Sequence, residues 1–374
     1  MKSLVALLFA VYNAFMDYLQ LNGKKLVENL LYWQQLAQKN GACLNVVTKF
    51  CISEIQYIDL LVKNGVTTIS DSNMQNFATL PLSVRESLKC CVIKTRLSDI
   101  DQYSQSSALS ESSPIRFYLS DEECLKKIRK IPENCRPQIV LIMECGDYKD
   151  GLYQSDIKRL VLEYADLPIM GVSANFACLS GKMPDIQSLS ILSETALYIQ
   201  QVKNLDSPFV SVGGTVMHDM LVSDEITACK DVFVSEIRCG EGIFFGYNSS
   251  KGAPVDGLWR DVFNFMAEII EVQEKTIPEQ KSDGLNALGD HSASRPSGAR
   301  RCAVLDFGVL AAPHVEIFPK DTDILIIGQT FDFTVIDITD SKKRYNAGDF
   351  VSFSVNYASA SFLCMNRFIT QTVE

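Results

Sequence analysis

Apolar and polar positions along the first two thirds of the chain follow two alternating periods. Short β-rich apolar runs are separated by stretches in which apolar residues recur at helical spacing. The predicted strands cover residues 44–48, 66–69, 90–95, 115–119, 139–143, 169–173, 209–212 and 232–237. The predicted helices cover residues 22–39, 52–63, 121–130, 155–164, 187–202 and 216–222. Eight strand–helix units over about 250 residues predict a (β/α)8 TIM barrel.

The fourth predicted strand, residues 115–119, decides between two α/β folds. It follows a serine-rich run at residues 104–113, which also fits a plain surface loop. If this strand were absent, an open doubly wound sheet would be the alternative. The chain has no glycine-rich dinucleotide fingerprint, Walker loop or nucleophile elbow, so the usual dinucleotide and hydrolase functions lack support.

After residue 257 the pattern changes to strands without intervening helices. They are predicted at residues 262–272, 303–307, 323–327, 333–338 and 350–357, separated by turn signals. The predicted domains are therefore an N-terminal extension (1–17), a barrel (18–257) and a small C-terminal β domain (258–374). The apolar run at residues 4–11 leaves a signal, an anchor, an extra helix and an over-extended start open for the extension.

Composition narrows the function classes. With 374 residues, 47% hydrophobic and 21% charged, the chain is globular, and its net charge of -10 argues against nucleic-acid and anionic-membrane partners. No apolar run beyond the extension approaches a membrane span. Twelve scattered cysteines and only three histidines indicate reduced thiols in the cytoplasm and no metal site. We expect a small-molecule partner.

The ends of the predicted strands carry the candidate chemistry, as barrels require. Lys49 closes an apolar strand, where a lysine must reach solvent, form a salt bridge or serve in chemistry. Glycine-rich turns at residues 213–215 and 240–242 follow the seventh and eighth strands and offer bare N–H groups to a phosphate. Together with Arg238, these groups describe a pocket for pyridoxal 5'-phosphate.

The chain resembles the fold-type III pyridoxal phosphate enzymes, namely the alanine racemase superfamily and, within it, the ornithine racemase branch. The resemblance extends from about Tyr18 to about Ile369. It rests on the segments 21–29, 47–49 (Val-Thr-Lys), 69–72, 171–175 with Gly181, 237–241 (Ile-Arg-Cys-Gly-Glu), 267–272, 337–340 and 356–357 (Asn-Tyr).

The resemblance implies that Lys49 is the Schiff-base lysine and that Arg238 meets the pyridine nitrogen. Because an arginine cannot give up a proton to the ring, it favours racemisation over decarboxylation. Further cofactor contacts are implied for Lys149, Asn175, Gly213, Gly214, Thr215, Gly240 and Glu241. Thr215-Val216 stands where relatives have Asn-Ser, so a hydroxyl expected on the phosphate would have to come from Thr215.

Racemisation also requires a second acid/base group on the opposite face of Cα. Tyr357 is the candidate, as acid/base or as a phosphate contact, and Asp306 and His314 are weaker ones. The resemblance implies a homodimer that interconverts L- and D-forms of a small or dibasic amino acid such as ornithine. A dibasic substrate would need a carboxylate, for which Glu144, Asp147 or Asp332 could serve. A non-catalytic cofactor-binding protein and an amino-acid decarboxylase are the alternative functions.

Overall fold

A computed structural model of the protein describes residues 17–106, 115–279, 284–289 and 296–374. These residues form two compact units, one of residues 26–260 and one that joins residues 17–25 to 261–374. The predicted extension lies outside the described residues except for Asp17, and so does most of the serine-rich run. Among the described residues, none of the helices combines the length and apolar character that a membrane span requires.

A closed barrel of parallel strands forms the first unit, as predicted. After β1 (Tyr18–Leu21), the barrel strands follow in chain order: β2 (Cys43–Val47), β3 (Thr68–Asp71), β4 (Lys89–Val92), β5 (Arg116–Leu119), β6 (Gln138–Ile142), β7 (Ile169–Asn175), β8 (Val210–Gly213) and β9 (Glu236–Cys239). The uncertain fourth strand is β5, which pairs with both β4 and β6. Pairing of β2 with β9 closes the barrel and excludes the open sheet.

Helices alternate with these strands. They are α1 (Gly23–Lys39), α2 (Ile55–Lys63), α3 (Met74–Ala78), α4 (Leu82–Glu86), α5 (Leu97–Gln105), α6 (Glu122–Ile128), α7 (Gln154–Glu163), α8 (Ile186–Lys203), α9 (His218–Val222), α10 (Glu225–Ala228) and α11 (Glu241–Phe244). Local signals fix the longest of them. Asn22 accepts a hydrogen bond from the N–H of Lys25 where α1 begins, and Asp185 does the same for Ser188 at α8.

The barrel interior is partly polar. Residues paired across parallel strands face the same side of the sheet, and Ser173, Ser211 and Glu236 form one such row across β7, β8 and β9. Two residues further along β9, toward its carboxyl end, Arg238 pairs with Asn45 of β2. All five side chains are buried, whereas barrel interiors are usually filled by branched apolar residues.

The second unit is a β domain around one long strand. The short strands β10 (Tyr247–Asn248) and β11 (Ala253–Pro254) end the barrel unit. They are followed by β12 (Phe263–Ile277), β13 (Gly298–Leu305), β14 (Ile317–Pro319), β15 (Leu325–Gln329), β16 (Thr334–Asp337), β17 (Phe350–Val355) and β18 (Thr370–Val373). β12 pairs with β13, β17 and β1. Phe307 and Phe353 pack on Phe265 in its core, with ring centroids 4.9 and 6.1 Å away.

Two predictions for this region need correction. β1 pairs with β12 and β18, so residues 18–25 join the β unit rather than the start of the barrel. The predicted strand 350–357 ends at Val355, and α12 (Tyr357–Met365) follows it, so the β unit is not free of helices. The reason is a capping box, in which Asn356 and Ser359 exchange hydrogen bonds of 3.0 Å between side chain and backbone.

Candidate active site

Lys49 lies directly after β2, at the carboxyl end of the barrel. Thr48 still hydrogen-bonds to the carbonyl of Ser70 at 2.8 Å, and the exposed Lys49 then opens a short 3-10 turn that ends at Cys51. Ile52 and Ser53 follow with φ of 46° and 55°. Such φ values are strained for residues other than glycine, above all for a β-branched one, and strain of this kind clusters at functional sites. This turn directs the chain back to α2 and leaves the lysine at the strand end.

Arg238 is buried on β9, the strand beside Lys49's own strand. Its Nη2 donates to the carbonyl of Ala174 at 2.8 Å and to Oδ1 of Asn175 at 3.1 Å. Its Nη1 donates to Ser211 at 3.4 Å. Nε–H and the second N–H of Nη1 have no acceptor among the described residues. Two of the five N–H donors therefore remain for a ligand, and the other three hold the guanidinium in place.

Asp150, a residue that the sequence pattern does not single out, links Lys149 and Asn175. Oδ1 of Asp150 accepts from Nδ2 of Asn175 at 3.3 Å and lies 3.4 Å from Nζ of Lys149. Asn175 in turn accepts from Arg238, so three of the predicted site residues belong to one polar network. Asp150 follows Lys149 directly, but no pattern in the sequence separates it from an ordinary loop carboxylate.

The two glycine-rich turns lie side by side. Oγ1 of Thr215 accepts from the N–H of Gly242 at 2.9 Å, which ties the turn after β8 to the turn after β9. A Cβ on Gly240 would come within 2.7 Å of the carbonyl of Val47, so only glycine lets β9 pass this close to the end of β2. Gly242 similarly packs on the ring of Trp33.

The turn after β8 has the features of an anion cradle. The N–H groups of Gly214, Thr215 and Val216 have no acceptor in the described part of the chain. A Cβ on Gly213 would lie 2.9 Å from Nη2 of Arg238. Consecutive unused N–H groups bind anions such as phosphate, and a phosphate here would sit on the strand that neighbours Arg238. The residues present therefore fit a phosphorylated pyridine cofactor.

Three predicted site carboxylates, Glu144, Asp147 and Glu241, accept hydrogen bonds from loop residues. Glu144 accepts from the N–H groups of Gly146 and Tyr148. Oδ1 of the buried Asp147 accepts from the N–H groups of residues 178 and 179 at 2.9 Å and from that of residue 180 at 3.2 Å, which links the β6 loop to the β7 loop. Glu241 accepts from the backbone and hydroxyl of Ser249. These contacts are structural, and they leave the side chain of Glu241 turned toward its loop.

The candidates for the second acid/base group lie in the β unit. Tyr357 is half-buried in the first turn of α12. Asp306 directly follows β13, and His314 opens a short 3-10 turn before β14. Asp332 is exposed in the turn between β15 and β16.

Known proteins match this chain along almost its whole length. Ornithine racemase of Acetoanaerobium sticklandii is 23% identical over 340 residues, 90% of this chain and 93% of that one. Lysine racemase of Thermotoga maritima is 21% identical over 362 residues, 95% of this chain and 98% of that one. No protein-family model matches the chain.

Solved structures share the fold. Alanine racemase of Bartonella henselae, a structure with covalently bound pyridoxal phosphate, superposes with a TM-score of 0.65 at 12% identity and covers 96% of this chain and 99% of that one. The barrel with its added β domain, the full-length matches and the predicted lysine and arginine segments agree with one another. The chain is therefore similar to amino-acid racemases over almost its whole length, and it shares the fold of the alanine racemases.

Proposed function

We propose that this protein is a pyridoxal phosphate-dependent amino-acid racemase of the ornithine racemase branch, with dibasic amino acids as its preferred substrates. The observation that carries the proposal is the adjacency of two strands, since β2 leads into Lys49 and pairs with β9, which bears the buried Arg238. The full-length relatives named ornithine racemase and lysine racemase support the substrate class.

The cofactor would be held by groups from several strand ends. Lys49 would bind it covalently, the free Nε–H of Arg238 would face its ring nitrogen, and the unused N–H groups of the turn after β8 would hold its phosphate. Lys149 and Asn175 would contact the ring through the network around Asp150. When bound, the cofactor supplies an electron sink for the charge left on Cα after its proton departs.

The protein's own side chains would remove the Cα proton of the substrate and return it. The amine of Lys49 would take the Cα proton from one face and return it there. Arg238 would donate a hydrogen bond to the ring nitrogen without giving up its proton, as is general for arginine. We propose Tyr357 as the group on the opposite face, because its hydroxyl can both donate and accept.

A dibasic substrate needs a carboxylate for its second ammonium group. Glu144 and Asp147 accept from loop N–H groups, as described above, whereas the partly exposed Asp150 is bound through its Oδ1 by the side chains of Asn175 and Lys149. We propose that Asp150 favours the cationic side chain, with the exposed Asp332 as the remaining candidate from the sequence.

Chiral analysis of the purified protein tests the proposed activity. L-ornithine, L-lysine, L-alanine and L-serine are incubated with the protein and pyridoxal phosphate, and both enantiomers are then quantified. We expect D-ornithine or D-lysine to accumulate. Carbon dioxide release without inversion would identify a decarboxylase, and cofactor binding without turnover would identify a binding protein.

We also propose that two copies form a homodimer that works in the cytoplasm. Leu310 and Phe331 are joined by a backbone hydrogen bond, and their side chains are 68% and 47% exposed. Val315 and Phe333 nearby are 64% and 44% exposed. Clustered exposed apolar groups are typical of a protein interface. All twelve cysteines are free thiols, which suits a reducing compartment.

A further inference from the structure

A buried cluster of polar side chains lies inside the barrel, on the amino-terminal side of Arg238. Its centre is Glu236, which is 3% exposed. Oε2 of Glu236 accepts from Nη1 of Arg116 at 2.9 Å, and Oε1 accepts from the hydroxyls of Ser211, at 2.6 Å, and Tyr118. Three side chains, two from β5 and one from β8, thus converge on the carboxylate of Glu236 on β9.

This cluster contacts Arg238 in two ways. Nη1 of Arg238 donates to Oγ of Ser211 at 3.4 Å, and the hydroxyl of Ser211 donates in turn to Oε1 of Glu236 at 2.6 Å. The guanidinium of Arg238 also lies 4.9 Å from the centre of the Tyr118 ring, which is within the range of a cation–π contact. The hydroxyl of Ser211 and the ring of Tyr118 therefore restrict the position of the Arg238 guanidinium.

The charges explain why these groups occur together. Arg116 and Arg238 are both buried, and Glu236 is the carboxylate that accepts directly from Arg116 and is linked through Ser211 to Arg238. A buried charge requires a paired charge and filled hydrogen bonds. Burial and the neighbouring Glu236 raise the pKa of Tyr118 well above its ordinary value, so the phenol stays protonated and donates.

We propose that Glu236, Ser211 and Tyr118 are positioning residues for Arg238, which fix its guanidinium so that Nε–H points to the ring nitrogen of the cofactor. The inference rests on the proposed cofactor site and deepens it. None of the three residues has to touch the substrate. Their effect on the cofactor is confined to the contact that Arg238 makes with the ring nitrogen.

An analogue of the cofactor tests this directly. Pyridoxal 5'-phosphate and its carbocyclic analogue, in which C–H replaces the ring nitrogen, share the aldehyde and the phosphate. Each is titrated against wild type and Ser211→Ala, and the visible absorbance of the lysine-bound aldehyde reports binding. Ser193→Ala is the matched control, because Ser193 is an equally buried serine that bonds to the carbonyl of Leu189 in α8.

We expect Ser211→Ala to weaken binding of pyridoxal phosphate roughly tenfold, the scale of one lost hydrogen bond from a charged donor, and to leave binding of the analogue unchanged. Ser193→Ala should change neither. Equal weakening of both aldehydes by Ser211→Ala, or of neither, would overturn the positioning role. A wild-type protein that binds neither aldehyde would overturn the proposed cofactor site as well.

A second variant covers the case in which Ser211→Ala does not fold. Ser211→Cys fills the same space, but a thiol is a poor acceptor, so the same selective loss is expected. Ser211→Thr retains the hydroxyl and should restore binding of pyridoxal phosphate to near the wild-type value. Circular dichroism of each variant without cofactor verifies the fold.

Discussion

Gly213 shows how one missing side chain shapes the site. A Cβ at this position would lie 2.9 Å from Nη2 of Arg238 and 3.2 Å from Oδ1 of Asn175. Neither atom can withdraw easily, because the guanidinium is held by Ala174, Asn175 and Ser211. Arg238 can therefore occupy its observed position only because residue 213 has no Cβ.

We therefore expect Gly213→Ala to weaken cofactor binding by roughly tenfold or more, the effect of one displaced charged hydrogen bond. The measurement is a cofactor titration followed by visible absorbance. Gly328→Ala is the control, because a Cβ on Gly328 meets nothing within 4 Å. Equal affinities for wild type and Gly213→Ala would contradict the steric argument.

The site residues differ in how visible they are from the sequence. Lys49 and Arg238 can be found because each follows from a strand end or a specific segment. Asp150 and Glu236 cannot, because their roles depend on which residues the barrel register places together. Glu236 is two residues before Arg238, and only the closed barrel brings Tyr118 of β5 against it. All the predicted cofactor and catalytic groups, Lys49 and Arg238 included, stay predictions.

At the scale of elements, the turns after β8 and β9 act as one unit through Thr215. Loss of its hydroxyl would free the N–H of Gly242 and uncouple the two turns. We expect Thr215→Val, which keeps the shape of the side chain, to weaken cofactor binding several-fold, whereas Thr215→Ser should bind nearly as the wild type does. Inorganic phosphate competition against the cofactor measures the effect on the turn itself. Identical behaviour of the Val and Ser variants would contradict this role.

Asp17, the residue directly before β1, is a buried titrating group of the β unit. Burial raises the pKa of Asp17 from 3.8 to about 7, although the N–H of Glu268 donates to it at 2.8 Å. Between pH 3.8 and about 7 the folded chain holds a proton that the unfolded chain has lost. The contribution of Asp17 to stability therefore falls as pH rises through this window.

We expect Asp17→Asn to lose less stability than wild type between about pH 5 and about pH 8, because the amide does not titrate. Urea unfolding midpoints at both pH values provide the measurement. Asp323→Asn is the control, since Asp323 is exposed in the same unit. A parallel decline of wild type and Asp17→Asn would exclude Asp17 as the source of the pH dependence.

The elements of the barrel could be predicted because most of its strands are rich in apolar, buried residues, and the long helices α1, α7 and α8 show a full period. The short helices α3 and α11 were missed, since five and four residues are too few to establish that period. β1 was missed because it is four residues long and its partners β12 and β18 lie more than 200 residues away along the chain. Tertiary pairing of this kind has no local signal.

At the scale of the whole molecule, the exposed apolar groups of the β unit lead to a test of the homodimer. Leu310→Asp with Phe331→Asp places two charges on the proposed interface, where unpaired charges oppose association. We expect wild type to sediment as a dimer and the double variant as a monomer. Phe362→Asp with Phe368→Asp, at exposed positions of α12 and just beyond it, is the comparison. A wild-type monomer would contradict the proposed dimer.

Racemisation through Lys49 is the central claim, and deuterium incorporation tests it most directly. L-ornithine is incubated in D2O with cofactor and wild type, Lys49→Ala or Lys89→Ala, and mass spectrometry then follows each enantiomer. Lys89 opens β4 at the opposite end of the barrel and is exposed, so its variant controls for loss of a lysine. We predict D-ornithine with deuterium at Cα from wild type and Lys89→Ala, and none from Lys49→Ala. Inversion without deuterium, or undiminished inversion by Lys49→Ala, would contradict the account.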